Sequence, residues 1–416
     1  MSEKYSTVSM IGLGYIGLPT AAVLASSGIR VVGVDINRDA VETINKGQIH
    51  IVEPELEEIV GAVVKTGLLR ATTRPEPADA FLIAVPTPFM GDHEPDLRYV
   101  ESAAKSIAPV LKRGDLVILE STSPVGTTEK MSEWLSAARP DLTFPQQIGE
   151  ESDIRVAYCP ERVLPGRVVH ELVNNDRVIG GLTRRCSKRA TELYKSFVKG
   201  ECFETTARTA EMCKLTENAF RDVNIAFANE LSIICDELQV NVWELIKLAN
   251  RHPRVSVLQP GPGVGGHCIA VDPWFIVSAT PNLARIIRTA REVNDYKPHY
   301  VVDRIATAAG TVTKPVIAVL GLAFKPDIDD LRESPAVEVV KLLSEALSSD
   351  FLVVEPHIAE LPNNLSGRRN VKLVSVDEAL QAANIVVMLV SHTPFYSIDR
   401  QLLAGKVVID TRGVWQ

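Results

Sequence analysis

Three features of the chain predict an α/β protein of two doubly wound halves joined by a long central helix region. Short apolar runs alternate with helical stretches over roughly the first 160 residues. A 52-residue stretch from Glu201 to His252 then contains neither glycine nor proline, and after residue 310 the apolar alternation starts again. Strands alternating with helical patterns build parallel sheets, and 416 residues suffice for two or three domains.

The first half opens with the apolar run Val8–Ile11, followed by Gly12-Leu-Gly14-Tyr15-Ile16-Gly17 and a helical pattern through Ser26. A second run, Ile29–Val34, ends at Asp35, 23 residues after Gly12. Strand, glycine turn, helix, strand and acid in this order form a dinucleotide-binding unit. Gly12 makes the tight turn, Gly14 lets the backbone approach a pyrophosphate, and Gly17 allows the helix to pack on the sheet. Tyr15 and Ile16 lie in the same turn, and the helix N-terminus offers its amides to phosphate. Asp35 accepts bonds from ribose hydroxyls and repels a 2′-phosphate, so the expected cofactor is NAD. Further runs at Ala80–Val85 and Leu116–Leu119 end in Pro86-Thr87-Pro88 and Ser121-Thr122-Ser123-Pro124, and Arg155–Tyr158 continues the series. Ligands sit beyond the carboxyl ends of such strands, which makes Thr87, Thr122 and Thr128 candidates for cofactor or water contacts.

The glycine-free stretch reads as one long helix or two joined tightly. Glu211, Lys214, Asn218 and Arg221 follow at steps of three, four and three and share a helix face. Asparagine is a poor mid-helix residue and supports no ion pair, which favours a functional stripe over a solvated one. Leu215, Phe220, Val223, Phe227, Leu231 and Ile234 supply an apolar side for a core or a dimer interface. Next comes a glycine-rich segment ending in a thiol, with Gly261, Gly263, Gly265, Gly266 and Cys268. No carboxylate occurs from Arg251 to Val271, while Arg251, His252, Arg254 and His267 are basic. That positive surrounding favours the thiolate, the reactive form of cysteine.

The second half begins with the run Pro315–Leu320 and Gly321-Leu-Ala-Phe324-Lys325-Pro-Asp, which echoes the first glycine turn with Phe324 and Lys325 in place of its fingerprint. Phe351–Val354, Ala383–Val390 and Val407–Asp410 continue its sheet. Lys325, Arg332 and Arg412 sit near strand ends or loops, where a lysine holds phosphate as a point charge.

Composition narrows the function classes. A net charge of −8 argues against nucleic-acid binding. Six scattered cysteines (159, 186, 202, 213, 235 and 268) show no zinc spacing, so no metal is expected. Residues 1–10 lack a signal-peptide core and no apolar run approaches a membrane span, which leads us to expect a soluble cytoplasmic protein.

Six segments, in order, carry a resemblance: G-L-G-Y-I-G-L-P at 12–19, S-T-S-P-V-G-T-T at 121–128, C-P-E-R at 159–162, E-M-C-K-L-T-E-N at 211–218, G-V-G-G-H-C-I-A-V-D at 263–272 and G-L-A-F-K-P-D-I-D-D-L-R-E-S-P at 321–335. With them the chain resembles the UDP-glucose/GDP-mannose dehydrogenase family over its whole length. The resemblance implies two Rossmann-like doubly wound domains joined by a long central helix region: an NAD-binding domain over 1–205, a helical dimerisation region with the cysteine loop over 206–305 and a UDP-sugar domain over 306–416. It implies oxidation of C6 of a UDP-sugar from alcohol to carboxylate with two NAD. It gives Cys268 as nucleophile, Lys214 and Asn218 beside the reacting oxygen, Glu161 and Asp272 as proton carriers and Thr122 as the water-binding threonine. Arg332 is implied as a cofactor contact. The departures from the glucose enzymes, Pro165 in C-P-E-R-V-L-P-G and Val271 before Asp272, make glucose a poor substrate expectation. Those forms, with N-R-H-P-R and G-G-H-C-I-A-V-D-P-W-F, resemble the branch acting on UDP-N-acetyl-D-mannosamine, with UDP-N-acetyl-D-glucosamine or UDP-glucose as alternatives. That branch implies substrate contacts from Arg162, Val163, Arg221, His252, Arg254, Gly265, Phe324, Lys325 and Arg412, with Arg254 reaching a partner subunit's site in a homodimer or larger oligomer. Its product would be a uronic acid donor for a bacterial surface polysaccharide of the enterobacterial common antigen type. Two other readings fare worse. No tyrosine is followed four residues later by lysine, as a short-chain dehydrogenase requires, and a regulatory nucleotide-sugar binder would not need Cys268, Lys214 and Asp272 together.

Overall fold

A computed structural model describes residues 5–51, 53, 55–91, 93–164, 166–266 and 268–415. Pro165 and His267 lie outside the described residues. The chain forms two compact units, 1–217 and 218–416, with the boundary inside one helix.

The first unit contains strands β1 (Thr7–Ile11), β2 (Arg30–Val34), β3 (Leu69–Thr72), β4 (Ala80–Ile83), a short hairpin of β5 (Phe89–Met90) and β6 (Glu94–Pro95), β7 (Leu116–Leu119), β8 (Arg155–Tyr158), β9 (Arg177–Gly181) and β10 (Cys202–Thr206). Its eight-stranded sheet has the order β10-β9-β8-β7-β4-β1-β2-β3. The strands from β3 to β8 run parallel, and β9 reverses against β8 through Ala157–Gly181 and Tyr158–Gly180. Both faces are covered, as a parallel sheet requires. Along β4 and β7 alternate residues feed opposite cores: Leu82 and Ile118 pack with the helix Gly17–Ser26, and Phe81, Ile83, Val117 and Leu119 pack with Val100 and Ile107.

The glycine-free stretch departs from the expected helical run at its start and otherwise takes the second of the two expected forms, two helices joined closely. Cys202–Thr206 is the edge strand β10, the helix runs Ala207–Glu237, and a second helix, Val242–Ala249, is capped by Asn241, which accepts from the backbone N–H groups of Trp243 and Glu244. Gln239 takes a positive φ of 52° at the break.

The second unit carries β11 (Val316–Leu320), β12 (Asp350–Val354), β13 (Val371–Leu373), β14 (Ile385–Met388) and β15 (Val407–Asp410), all parallel in the order β13-β12-β11-β14-β15. The same alternation splits Ile317 and Val319 from Ala318 and Leu320 into separate cores. A helix from Arg285 to Gly310 lies beside the sheet of this unit and packs on the helix Pro335–Ala346. It joins the long helix through buried bonds: Arg291 pairs with Asp222 at 2.7 Å, and the Asn229 amide donates to Asn294 at 2.9 Å. Among the described residues no helix is long and apolar enough to cross a membrane.

Candidate active site

In the first unit the glycine turn follows β1. Gly12 has φ of 91°, and a Cβ there would lie 2.5 Å from the Ala84 carbonyl oxygen. A Cβ on Gly17 would overlap the Gly12 carbonyl, whereas Gly14 faces open space. Only glycine fits the first and third positions, and the second leaves room for a ligand against bare backbone. No side chain caps the helix Gly17–Ser26 and its first turn holds no acid, so no carboxylate competes with an anion for the positive end of the helix. Asp35 accepts the backbone N–H of Leu13 at 2.9 Å and of Asn37 at 2.9 Å, which anchors the carboxylate at the end of β2. Tyr15 is exposed and Ile16 half-buried beside it. This cradle fits a dinucleotide with free ribose hydroxyls.

At the ends of β4 and β7 the Thr87 hydroxyl donates to the Thr122 carbonyl at 2.6 Å, drawing the two turns together. Thr128 is fully buried and donates its hydroxyl to Glu211 at 2.6 Å; Glu211 also accepts the backbone N–H groups of Gly126 and Thr128. Glu211 therefore clamps the Ser121–Thr128 segment to the long helix, a function its place on the polar stripe concealed. Beyond β8, Glu161 is buried, accepts the Arg162 N–H and pairs with Arg177 at 2.6 Å. Arg162 pairs with Glu217 at 2.7 Å, and Val163 rests against the core of this unit. Lys214 is half-buried on the same helix face as Glu211.

In the second unit Asn218, 7% exposed, donates its amide to the buried carboxylate of Asp272. The Cys268 carbonyl accepts the backbone N–H of Asp272 at 2.8 Å, so thiol residue, carboxylate and amide lie within one turn of the helix start at Asp272. The Cys268 residue is exposed, whereas Cys159, Cys186 and Cys235 are buried. Arg221 is exposed, as are His252 and Arg254, where the Arg254 N–H donates to His252 Nδ1 at 3.3 Å.

The glycine loop packs on residues from the second half of the chain. A Cβ on Gly265 would meet Phe324 Cβ at 2.8 Å and the Glu333 carbonyl at 2.5 Å, and one on Gly261 would meet Arg412 Nη1 at 2.5 Å. The Gly266 N–H donates to the Arg332 carbonyl at 3.2 Å, while the Arg332 side chain pairs with Asp330 at 2.6 Å. Burial lowers the Arg412 pKa from its ordinary range, and its Nε has no hydrogen-bond partner. Lys325 is exposed on a loop held by Asp327, which accepts the Thr393 N–H at 2.8 Å and hydroxyl at 2.7 Å. Asp327, His357 and His392 cluster within 4.8 Å. Both His392 nitrogens are already engaged, Nδ1 by the Asp327 N–H and Nε2 by Glu355, so the cluster serves as a strut for the Lys325 loop. Sequence reading missed this strut because its members lie in three separate segments. The motif C-P-E-R was legible, but its partner Arg177 was not.

A dinucleotide cradle, a cysteine held beside a carboxylate and an amide, and a second sheet domain with basic loop residues define a nucleotide-dependent dehydrogenase. The chain belongs to the UDP-glucose/GDP-mannose dehydrogenase family: its NAD binding domain model matches residues 6–198, the central domain 208–296 and the UDP binding domain 318–416. It is 67% identical over 99% of its length to an NDP-N-acetyl-D-galactosaminuronic acid dehydrogenase of Ralstonia nicotianae, covering 96% of that protein. It is 63% identical to the UDP-N-acetyl-D-mannosamine dehydrogenase of Escherichia coli K12, covering 99% of this chain and all of the relative. Among solved structures, UDP-D-ManNAc dehydrogenase from Pyrococcus horikoshii superposes with a TM-score of 0.88 at 40% identity, covering 99% and 96% of the two chains. The protein is an NAD-dependent nucleotide-sugar dehydrogenase with the expected α/β architecture.

Proposed function

We propose that the protein oxidises UDP-N-acetyl-D-mannosamine at C6 to the uronate, in two steps, with Cys268 carrying the acyl group between them. The observation that carries this reading is the Asn218–Asp272–Cys268 turn, with Lys214 one helical turn before Asn218. The Gly12–Gly17 turn, Asp35, Thr87 and Arg332 would hold NAD, which takes up a hydride from C6 in each oxidation. Thr128, expected as a cofactor contact, is instead fully buried with its hydroxyl and N–H given to Glu211, so it supports the Ser121–Thr128 turn from behind. Lys214 and Asn218 stabilise negative charge developing on the C6 oxygen, each worth on the order of 3 kcal/mol. The Cys268 thiolate adds to the aldehyde to give a thiohemiacetal, whose oxidation leaves a thioester. Water held by Thr122 cleaves the thioester, and Glu161 and Asp272 carry the protons released. Arg162, Val163, Arg221, His252, Arg254, Gly265, Phe324, Lys325 and Arg412 would hold the UDP-sugar. The working segments are then 1–205 for NAD, 206–305 for the thiol and dimerisation, and 306–416 for UDP.

Purified protein given UDP-N-acetylmannosamine is expected to release two NADH per sugar. Cys268→Ser is expected to lose uronate formation by at least about a thousandfold while still binding both ligands. One NADH per sugar, or full activity of the variant, would reject the scheme. The 67% identity to the N-acetylgalactosaminuronic acid enzyme favours a second reading, an N-acetylgalactosamine nucleotide as substrate. A panel of UDP-N-acetylhexosamines compared by kcat/KM decides between them.

A further inference from the structure

Behind Glu161 the first unit buries ionisable groups that the oxidation scheme leaves unused. Glu120 follows β7 and is 3% exposed; its Oε1 accepts the Tyr194 hydroxyl at 2.6 Å, and its Oε2 is buried without a hydrogen-bond partner. Arg177, at the start of β9, donates through Nη1 to Glu161 and through Nη2 to the Leu172 carbonyl at 2.9 Å. Its guanidinium stacks 5.4 Å from the Tyr194 ring centroid, and its Nε is also buried without a partner. Cys159, just past β8, is buried in the same group. Glu120 is therefore bonded to Tyr194 and lies in the electrostatic field of Glu161, Arg177 and Cys159, which enter from the β8 end and β9, with Tyr194 on the helix Arg184–Tyr194.

The cluster holds two carboxyls and one guanidinium. Arg177 gives its direct bond to Glu161, so ionising Glu120 adds an uncompensated second charge in the core. Burial first and the Glu161 charge second push the Glu120 pKa up to about 7, against the opposing pull of Tyr194 and Arg177. Burial also raises Cys159 to about 12 and Tyr194 well above its ordinary value. Among these groups, Glu120 is the one that changes charge near neutral pH.

We propose that Glu120 is a positioning residue for Glu161: the Tyr194 side chain bonded to Glu120 stacks on the Arg177 guanidinium that holds Glu161, so the charge on Glu120 sets how readily Glu161 takes a proton. This rests on the reading of Glu161 as a proton carrier. In the hydrolytic step a water O–H proton passes to the Glu161 carboxylate as the water oxygen bonds to the thioester carbon and the C–S bond breaks. An ionised Glu120 makes Glu161 the stronger base for that transfer.

The test is Glu120→Gln, which keeps an acceptor for Tyr194 and fixes the position as neutral. Turnover, and single-turnover decay of the Cys268 acyl intermediate, are followed from pH 5.5 to 9. The variant is expected within about twofold of the parent at pH 6 and about three- to tenfold slower at pH 8.5. An infrared difference spectrum between these pH values is expected to show loss of a buried protonated carboxyl band in the parent and no such loss in the variant. Glu120→Asp, which shortens the reach to Tyr194, is expected to shift the midpoint of the profile. A variant slowed equally at every pH, an unmoved midpoint in the aspartate, or a parent without the band overturns the proposal. Full activity in Glu161→Gln with the band intact instead removes Glu161 from the reaction, a separate failure.

Discussion

Gly261 and Arg412 show how much of the site rests on single atoms. A Cβ on Gly261 would stand 2.5 Å from Arg412 Nη1, the far end of a side chain that can swing. Gly261→Ala is therefore expected to fold normally and to displace the guanidinium. If Arg412 holds the UDP moiety, KM for the UDP-sugar rises on the order of tenfold, about 1.4 kcal/mol, while kcat and the KM for NAD change little. Steady-state kinetics with each substrate varied separately checks this. Arg412 was legible in the sequence only as a cation near a strand end, since nothing in its spacing from Gly261 announces the contact. Gly12, Gly17 and Asp35 were fully legible, because their chemistry is local: a turn, a helix start and an acid within one strand-helix-strand unit. Glu120 and Arg177 were invisible because a buried network draws each member from a different element.

At the scale of elements, continuous apolar runs located the strands buried on both sides, such as β4, β7, β11 and β14. They missed β3, β10 and β13, which form sheet edges where the burial alternates or falls away: β3 reads Leu-Arg-Ala-Thr, and Phe203 and Glu204 of β10 are exposed. Edge strands need no second apolar face, so their sequence signal is weak. β9 escaped because it carries Arg177 and two glycines. The loop from Phe324 to Arg332 has no regular structure, and its order comes from Asp327, whose φ of 61° places it in the left-handed region that aspartate tolerates. Removing the carboxylate frees the Thr393 N–H and hydroxyl and loosens the loop that carries Lys325. Bonds to a charged acceptor contribute about 1.5–3 kcal/mol each, less at this half-exposed position. Asp327→Ala is expected to raise KM for the UDP-sugar about three- to tenfold and leave KM for NAD unchanged; Asp327→Asn, which keeps one acceptor for the Thr393 N–H, should fall between. Equal effects on both KM values would show that the strut does not serve the loop.

For the molecule as a whole, the apolar side expected on the long helix divides in two. Leu215 is buried and Leu231 packs against the small core around Cys235 and Ile246, but Phe220, Phe227 and Ile234 are 68%, 55% and 46% exposed. These three recur every seven residues, two helical turns, and so form one stripe along the second unit's part of the helix. A regular exposed apolar stripe is the kind of surface that a partner covers, and in a twofold dimer the same patch serves both copies. The expected state is a dimer whose mass falls to that of one chain in Phe227→Glu, measured by light scattering or sedimentation at micromolar concentration. Because Phe227 makes little of the fold's core, the melting temperature of that monomer should reflect only the lost association. If Arg254 completes the partner subunit's site, the monomer also loses turnover while its NAD affinity survives. A parent protein that sediments as one chain would overturn the interface. A Phe227→Glu monomer with full turnover would instead leave the interface standing and return Arg254 to its own subunit.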